Sequence, residues 1–343
     1  MYLLSINFGS SSIKVDIFNY KNLKLINSVN LSKQKNHEKS FETAIKLLNI
    51  KDNKQIKAVA HRVVHGGDKY KEATLITPKI EIEIEKLSEL APLHNPINLL
   101  GIKQAKKMFK CPHFAIFDTA FHQTIPSKAY TYAIPRKYIE QSKIRKYGFH
   151  GTNHKFAYSE SCKLLNKKSA SGIICHLGSG CSISAIKDGK VIDTSMGFTP
   201  LEGLVMGTRS GNVDPSIIFH LQRKYPKLNV EKLLLEKSGL LGLAENQGHM
   251  RKIFVAAKNG YKEAQNAIKV FCYRASQYVG FYALLLPQVD FITFTGGIGE
   301  NANYIRRQIL KNLPSLSLPN IFVIKANEAL QMAKEVKEKL AKN

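Results

Sequence analysis

Two widely separated stretches of the chain share one pattern. Leu3-Leu4-Ser5-Ile6-Asn7-Phe8 passes through Gly9-Ser10-Ser11-Ser12 into Ile13-Lys14-Val15, and Ile173-Ile174-Cys175-His176-Leu177 passes through Gly178-Ser179-Gly180 into Cys181-Ser182-Ile183-Ser184. Apolar runs bounded by Gly and Ser predict buried strands joined as hairpins. Gly and Ser at such tips let backbone N–H groups converge on an anion with no Cβ in the way, and serine hydroxyls add donors. A third Gly-rich turn, Thr295-Gly296-Gly297-Ile298-Gly299-Glu300-Asn301, is expected after the apolar run Phe291–Phe294. Any one of these could be an ordinary turn, because Gly and Ser are common turn residues. Three at strand ends point to phosphate grips lining one cleft.

The rest of the pattern fills in an α/β chain. Ile56–His65 reads as a buried strand ending at Gly66-Gly67, which makes Arg62 a cleft candidate. In Leu93-His94-Asn95-Pro96, Asn95 is placed to cap a helix with Pro96 at its first position, continued by Leu99, Leu100, Ile102, Ala105 and Met108. His113–Asp118 is a short strand with a carboxylate at its end. Val191–Thr194 is a further strand reached through Asp188-Gly189, Asp214-Pro215 opens a helix, and a long helix covers about 262–286. A charged amphipathic helix follows from Asn327. The stretch from Asn19 to about Lys57, rich in Lys and Asn, reads as a surface elaboration holding one amphipathic piece at Phe41–Leu48.

A chain of 343 residues, 44% hydrophobic, is too long for one core, so two domains are expected. No run approaches the roughly 18 apolar residues of a membrane span, and no charged segment precedes the first apolar stretch, so no membrane partner and a cytoplasmic location are expected. Five scattered cysteines without a CxxC pair suit a reducing compartment and neither a disulfide frame nor a zinc site. The net charge of +25 raises the possibility of nucleic acid. The lysines, however, fall at helical spacing along the whole length without interleaved aromatic residues, so solvated helix faces are expected and no nucleic-acid partner.

Four blocks then carry a resemblance: Ala91–Pro96, Phe117–Thr124, Tyr147–Thr152 and Asp193–Gly203 running to Arg209-Ser210-Gly211. With His61–Gly67 and Thr295–Asn301, they resemble the acetate and propionate kinase family over most of the chain. The resemblance implies a two-domain, duplicated actin-like ATPase fold of ribonuclease H-like halves around an inter-domain cleft. It divides the chain into 1–119 plus 328–343, the acyl-kinase domain, and 120–327, the nucleotide domain. It implies a homodimer that moves the γ-phosphoryl group of ATP reversibly to acetate with magnesium or manganese, giving acetyl phosphate and ADP. The chain contains no GxxxxGK[ST] motif, so a P-loop is excluded.

By the same resemblance, Arg62 holds the acetate carboxylate, Arg209 and His150 stabilise the transferring group, and Asp118 takes the position described as catalytic acid or base. A carboxylic acid is already ionised at neutral pH, so the expected part for Asp118 is positioning and work through the metal. Val64, Leu93, Phe149 and Pro200 would wall the acetate methyl, and Asn7 and Glu328 would serve the metal. Ser10, Ser12, Lys14, His176, Leu177, Gly178, Ser179, Gly180, His249, Met250, Arg251 and Gly296, Gly297, Ile298, Gly299, Glu300 and Asn301 would meet the nucleotide. The chain departs from the family at Phe8, Ser179, Asn212 and His249; the shorter Ser179 is expected to slow transfer. Propionate or butyrate kinase and a transfer-inactive nucleotide-binding homologue are the alternatives.

Overall fold

The computed structural model describes residues 1–9, 12–32, 36–50, 52–245, 247–313 and 319–342. Two compact units divide the chain: residues 1–123, 150–156 and 327–343 form the first, and residues 124–149 and 157–326 the second.

The first unit is built on β1 (Tyr2–Phe8), β2 (Ser12–Asn19), β3 (Leu25–Ser32), β4 (Ile56–Val63), β5 (Thr74–Leu75) and β6 (His113–Phe117), in the sheet order β3-β2-β1-β4-β6-β5. The second contains β7 (Gly172–Leu177), β8 (Cys181–Lys187), β9 (Lys190–Thr194), β10 (Phe291–Thr295) and β11 (Asn320–Val323), in the order β11-β10-β7-β8-β9. Each sheet begins as an antiparallel three-strand meander, and its first strand then pairs in parallel with the next strand, which pairs in parallel with another. Strand for strand, β1, β2, β3, β4 and β6 repeat as β7, β8, β9, β10 and β11. This is the ribonuclease H-like topology occurring twice, as in actin-like ATPases.

The apolar runs form central strands because both sheet faces are covered. In the first unit, Leu4, Ile6, Val15 and Ile17 pack with Phe41, Ala44, Ile45 and Leu48 of the helix His37–Leu48, and with Ala105 and Phe109. On another apolar cluster, Leu3, Phe18, Ala58, Phe114 and Ile116 pack with Ala329, Met332, Ala333 and Val336 of the helix Glu328–Lys342. Ser5 anchors that helix by donating to the Ala329 carbonyl at 2.8 Å. In the second unit, the helix Lys262–Leu285 packs on β7 and β8, burying Phe271, Cys272, Val279 and Tyr282.

Three sequence expectations need correction. The stretch 19–57 contributes the strand β3 and a helix that fills core, so it is more than surface elaboration. His94 occupies the N-cap of Asn95–Met108, while Asn95 is the first helical residue, wholly buried. Finally, Gly296–Asn301 is a helix, entered directly from β10 at Gly296, whose φ of +78° suits glycine.

Candidate active site

Parallel strands deliver their carboxyl ends to one edge of a sheet, where α/β proteins carry their chemistry. In the first unit that edge presents Asn7 near the end of β1, Arg62 near the end of β4 and Asp118 just after β6, with Arg62 and Ile116 in register. The Arg62 guanidinium donates to Asp118 Oδ2 from Nε at 2.9 Å and from Nη2 at 2.6 Å, and to Asn7 Oδ1 from Nη1 at 3.2 Å. Burial opposes the charge on Arg62, but Asp118 and Glu328 outweigh it and hold the guanidinium above its usual range. Burial also raises the Glu328 carboxyl above the ordinary carboxylate range, aided by the Asp118 charge and opposed by Arg62 and Lys14. Lys14 lies opposite Asn7 in the β1–β2 register and pairs with Asp16 at 3.3 Å. Asn7, Lys14, Arg62, Asp118 and Glu328 thus form one electrostatic group. Ser12 begins β2 beside it, and Ser10 lies outside the described residues.

The loop after β4 is held by side chains rather than by a sheet ladder. Asn98 accepts from the Val64 N–H at 3.0 Å and donates to the Phe8 carbonyl at 2.8 Å. Asn95 accepts from the His65 N–H at 3.1 Å, and Thr119 from the Gly66 N–H at 3.0 Å. Val64 is buried, whereas Leu93 is 63% exposed. His150 adopts φ +58°, left-handed backbone that costs a histidine energy and occurs where surrounding structure enforces it. The next residue must be glycine, since a Cβ on Gly151 would lie 2.2 Å from the Asp118 carbonyl oxygen.

The second unit gathers its own set. At the β7–β8 tip the Gly178 N–H donates to the Gly180 carbonyl at 3.0 Å, and the Ser179 carbonyl accepts from Gly207 N–H at 2.9 Å. A Cβ on Gly296 would lie 2.8 Å from the Leu177 carbonyl oxygen, so the end of β7 and the start of the Gly296–Asn301 helix are tightly apposed. His176, Leu177, Gly178, Ser179, Gly180, Gly296 and Gly297 therefore belong to one neighbourhood. Within that helix, Glu300 accepts from the Gly296 and Ala326 N–H groups at 3.0 and 2.8 Å, and Asn301 donates to the Gly297 carbonyl at 2.9 Å. Ile298 and Gly299 lie between them. His249 caps the helix Met250–Lys258, with Met250 buried and Arg251 exposed.

Arg209 sits in a loop shaped by Gly203 and Gly211, which have φ of +110° and +70°. Its Nη1 reaches the Pro200 carbonyl, at 3.4 Å, and the Met206 sulfur, at 3.8 Å. Among the described residues no carboxylate pairs with it, and burial lowers its pKa, with only the Cys181 thiol acting the other way. Phe149 is buried, and Pro200 lies beside Arg209.

Magnesium prefers hard oxygen donors and binds through one or two carboxylates with waters and substrate phosphates. Among the described residues no group of three or more His, Cys, Asp or Glu side chains is assembled for a metal. Asp118 and Glu328 with the Asn7 amide oxygen nevertheless fit such a cation. Three donors occupy the roughly four acceptor positions of the Asp118 carboxylate, which leaves one on Oδ1.

Sequence reading missed the polar residues that hold these groups: Asn95, Asn98, Thr119 and Thr152. A signal was present, since Asn95 and Asn98 fall three apart on the apolar side of an amphipathic helix, where a buried amide must find partners.

A duplicated ribonuclease H-like fold, with a carboxylate–arginine group on one sheet edge and, in the other unit, an arginine that has no carboxylate partner among the described residues, defines an actin-like ATPase-fold phosphotransferase. Residues 26–335 match the Acetokinase family. Acetate kinase of Brachyspira hyodysenteriae is 44% identical over 93% of this chain and 89% of that protein. The structure of a propionate kinase from Francisella tularensis superposes with a TM-score of 0.92 at 37% identity, over 97% of this chain and 98% of the other. Porphyromonas gingivalis acetate kinase superposes with a TM-score of 0.91 at 32% identity, over 99% of each chain. The chain belongs to the acetokinase family.

Proposed function

We propose that this chain is an acetate kinase, transferring the γ-phosphoryl group of ATP to acetate in line and reversibly. A carboxylate oxygen of acetate attacks the γ-phosphorus, the bond to the bridging oxygen breaks, and acetyl phosphate and ADP leave. Acetate is ionised at neutral pH, so no base is needed. The observation that carries this reading is the contrast between Arg62, already bound to Asp118, and Arg209, which has no carboxylate partner among the described residues. Of the five N–H groups of Arg62, three are engaged and one remains on each Nη, which suits a carboxylate taken by two parallel hydrogen bonds. Arg209 answers the charge spread over the transferring phosphoryl group, and His150 donates to one of its oxygens.

Asp118, Glu328 and Asn7 would hold magnesium. Bound there, the ion neutralises phosphate charge. Asp118 itself orients Arg62. Ser12, Lys14, His176–Gly180, His249–Arg251 and Gly296–Asn301 serve the nucleotide, and Val64, Leu93, Phe149 and Pro200 the methyl group. A propionate preference is the second reading, favoured by the exposure of Leu93; one methylene changes binding by only about 1–3 kcal/mol. No helix among the described residues is long and apolar enough to cross a membrane, and all five cysteines are free thiols, which supports a cytoplasmic location. Exposed Phe281, Leu284 and Leu285 at the end of the long helix support a homodimer.

Hydroxylamine trapping of acyl phosphate, with ATP, magnesium and acetate, propionate, butyrate or no acid, tests the reading. The strongest signal is expected with acetate. A stronger signal with a longer acid moves the specificity, and ATP binding without acyl phosphate from any acid sinks the kinase assignment.

A further inference from the structure

Asp118 is held through its backbone N–H, its carbonyl and both carboxylate oxygens. Its N–H donates to the Val63 carbonyl at 3.0 Å, and its carbonyl accepts from the Gly151 N–H at 2.9 Å. Arg62 takes Oδ2. Oδ1 accepts from the Thr152 hydroxyl at 3.2 Å, on the side of the carboxylate that Arg62 does not hold. The pair is buried, with Asp118 at 2% and Thr152 at 3% exposure.

The torsion that turns an aspartate carboxylate is broad and nearly unrestrained. Both Arg62 donors meet the single oxygen Oδ2, so Arg62 holds the carboxylate from one side and has no two-oxygen grip on it. The contact on Oδ1 completes the restraint by holding the opposite oxygen. Threonine suits this task because its β-branch restricts χ1 and aims the hydroxyl. The approach that brings Thr152 to Asp118 requires glycine at 151 and left-handed backbone at His150.

We propose that Thr152 is a positioning residue that acts through Asp118, locking the carboxylate so that Arg62 presents its remaining N–H groups to the carboxylate substrate. This rests on the reading in which Arg62 binds acetate. Loss of the hydroxyl then shows chiefly in acetate affinity and little in nucleotide affinity.

The test compares Thr152→Val, which keeps the shape and removes the hydroxyl, with Thr152→Ser, which keeps the hydroxyl. Thr152→Ala serves as a second, smaller deletion should the valine variant fold poorly. Acetate KM is expected to rise about 10-fold in Thr152→Val, the scale of one hydrogen bond to a charged group, with ATP KM within about twofold and most of the loss recovered by Thr152→Ser. In an Arg62→Ala background, Thr152→Val should add less than about twofold, because the residue it acts through is gone. Unchanged acetate KM in Thr152→Val and Thr152→Ala, equal effects on both substrates, or full additivity with Arg62→Ala overturns the positioning role while wild-type activity stands. A wild type that makes no acyl phosphate from acetate removes the functional reading and this role with it.

Discussion

The two arginines assigned to the reaction sit in opposite electrostatic settings. Arg62, in the first unit, is bound to a buried carboxylate and held above its usual pKa; Arg209, in the second, has carbonyl and sulfur neighbours and is pushed below it. A guanidinium that is already neutralised contributes stability and a fixed pair of donors. One that is not carries an electrostatic cost until a negative charge arrives, and so favours the state in which that charge is present. The first arrangement suits binding a ground-state carboxylate, and the second suits a phosphoryl group in transit.

If that distinction is right, the two deletions must fail differently. The largest expected effect is that of Arg209→Ala on turnover, about 10³-fold in kcat at saturating substrates, with Tm unchanged or slightly raised because a half-buried charge with no carboxylate partner among the described residues is removed. Arg62→Ala should instead cost about 3 kcal/mol of stability, since it strands the buried Asp118 carboxylate beside Glu328, and should raise acetate KM. Chemical denaturation and steady-state kinetics on both variants read these quantities together.

The units also differ in where pH should unfold them. In the first, burial lowers His65 to about 4 and His122 to about 3, and lowers His61 and His113 as well. Depressed histidines contribute stability that is present above the unfolded value near 6.5 and lost as pH falls toward the folded values, on the order of a few kcal/mol by pH 4. In the second unit, burial raises Cys181, Cys272 and Tyr304 to about 12, with Tyr282 and Cys175 raised too. Their contribution is full below the ordinary thiol and phenol range and is lost as pH climbs toward 12. Hydrogen exchange followed by peptide mass spectrometry should therefore show the first unit opening earlier in acid and the second earlier in alkali. Simultaneous opening in acid would contradict the histidine account.

The smallest effect concerns Ser179, exposed at the β7–β8 tip, whose carbonyl accepts from Gly207. Ser179→Asn should raise the transfer rate a few-fold without moving Tm, and an unchanged rate removes the expectation that this position limits the enzyme.

Much of the scaffold was legible because it is local. The hairpin runs at Leu3–Val15 and Ile173–Ser184 became β1–β2 and β7–β8, and the Asp214-Pro215 signal became an N-cap whose carboxylate accepts from Ser216 N–H at 2.8 Å. What failed was decided at long range. Asn95 looks like a cap from its neighbours, but its amide is turned to the backbone of His65, thirty positions away. Gly296-Gly297 reads as a turn from composition alone, and only the approach to Leu177 and the clamp from Glu300 make it the start of a helix. The motif block Tyr147–Thr152 was visible, yet Thr152 gained a task only from a partner that precedes it by 34 positions.

The measurement that bears most directly on the division between the two arginines is the initial rate of acyl phosphate formation by folded Arg209→Ala at saturating acetate, ATP and magnesium, with free guanidinium then added. The account predicts a loss of about 10³-fold, partly restored by guanidinium, in a protein as stable as the wild type. A rate within a factor of a few of wild type, or a loss matched by unfolding, would contradict it.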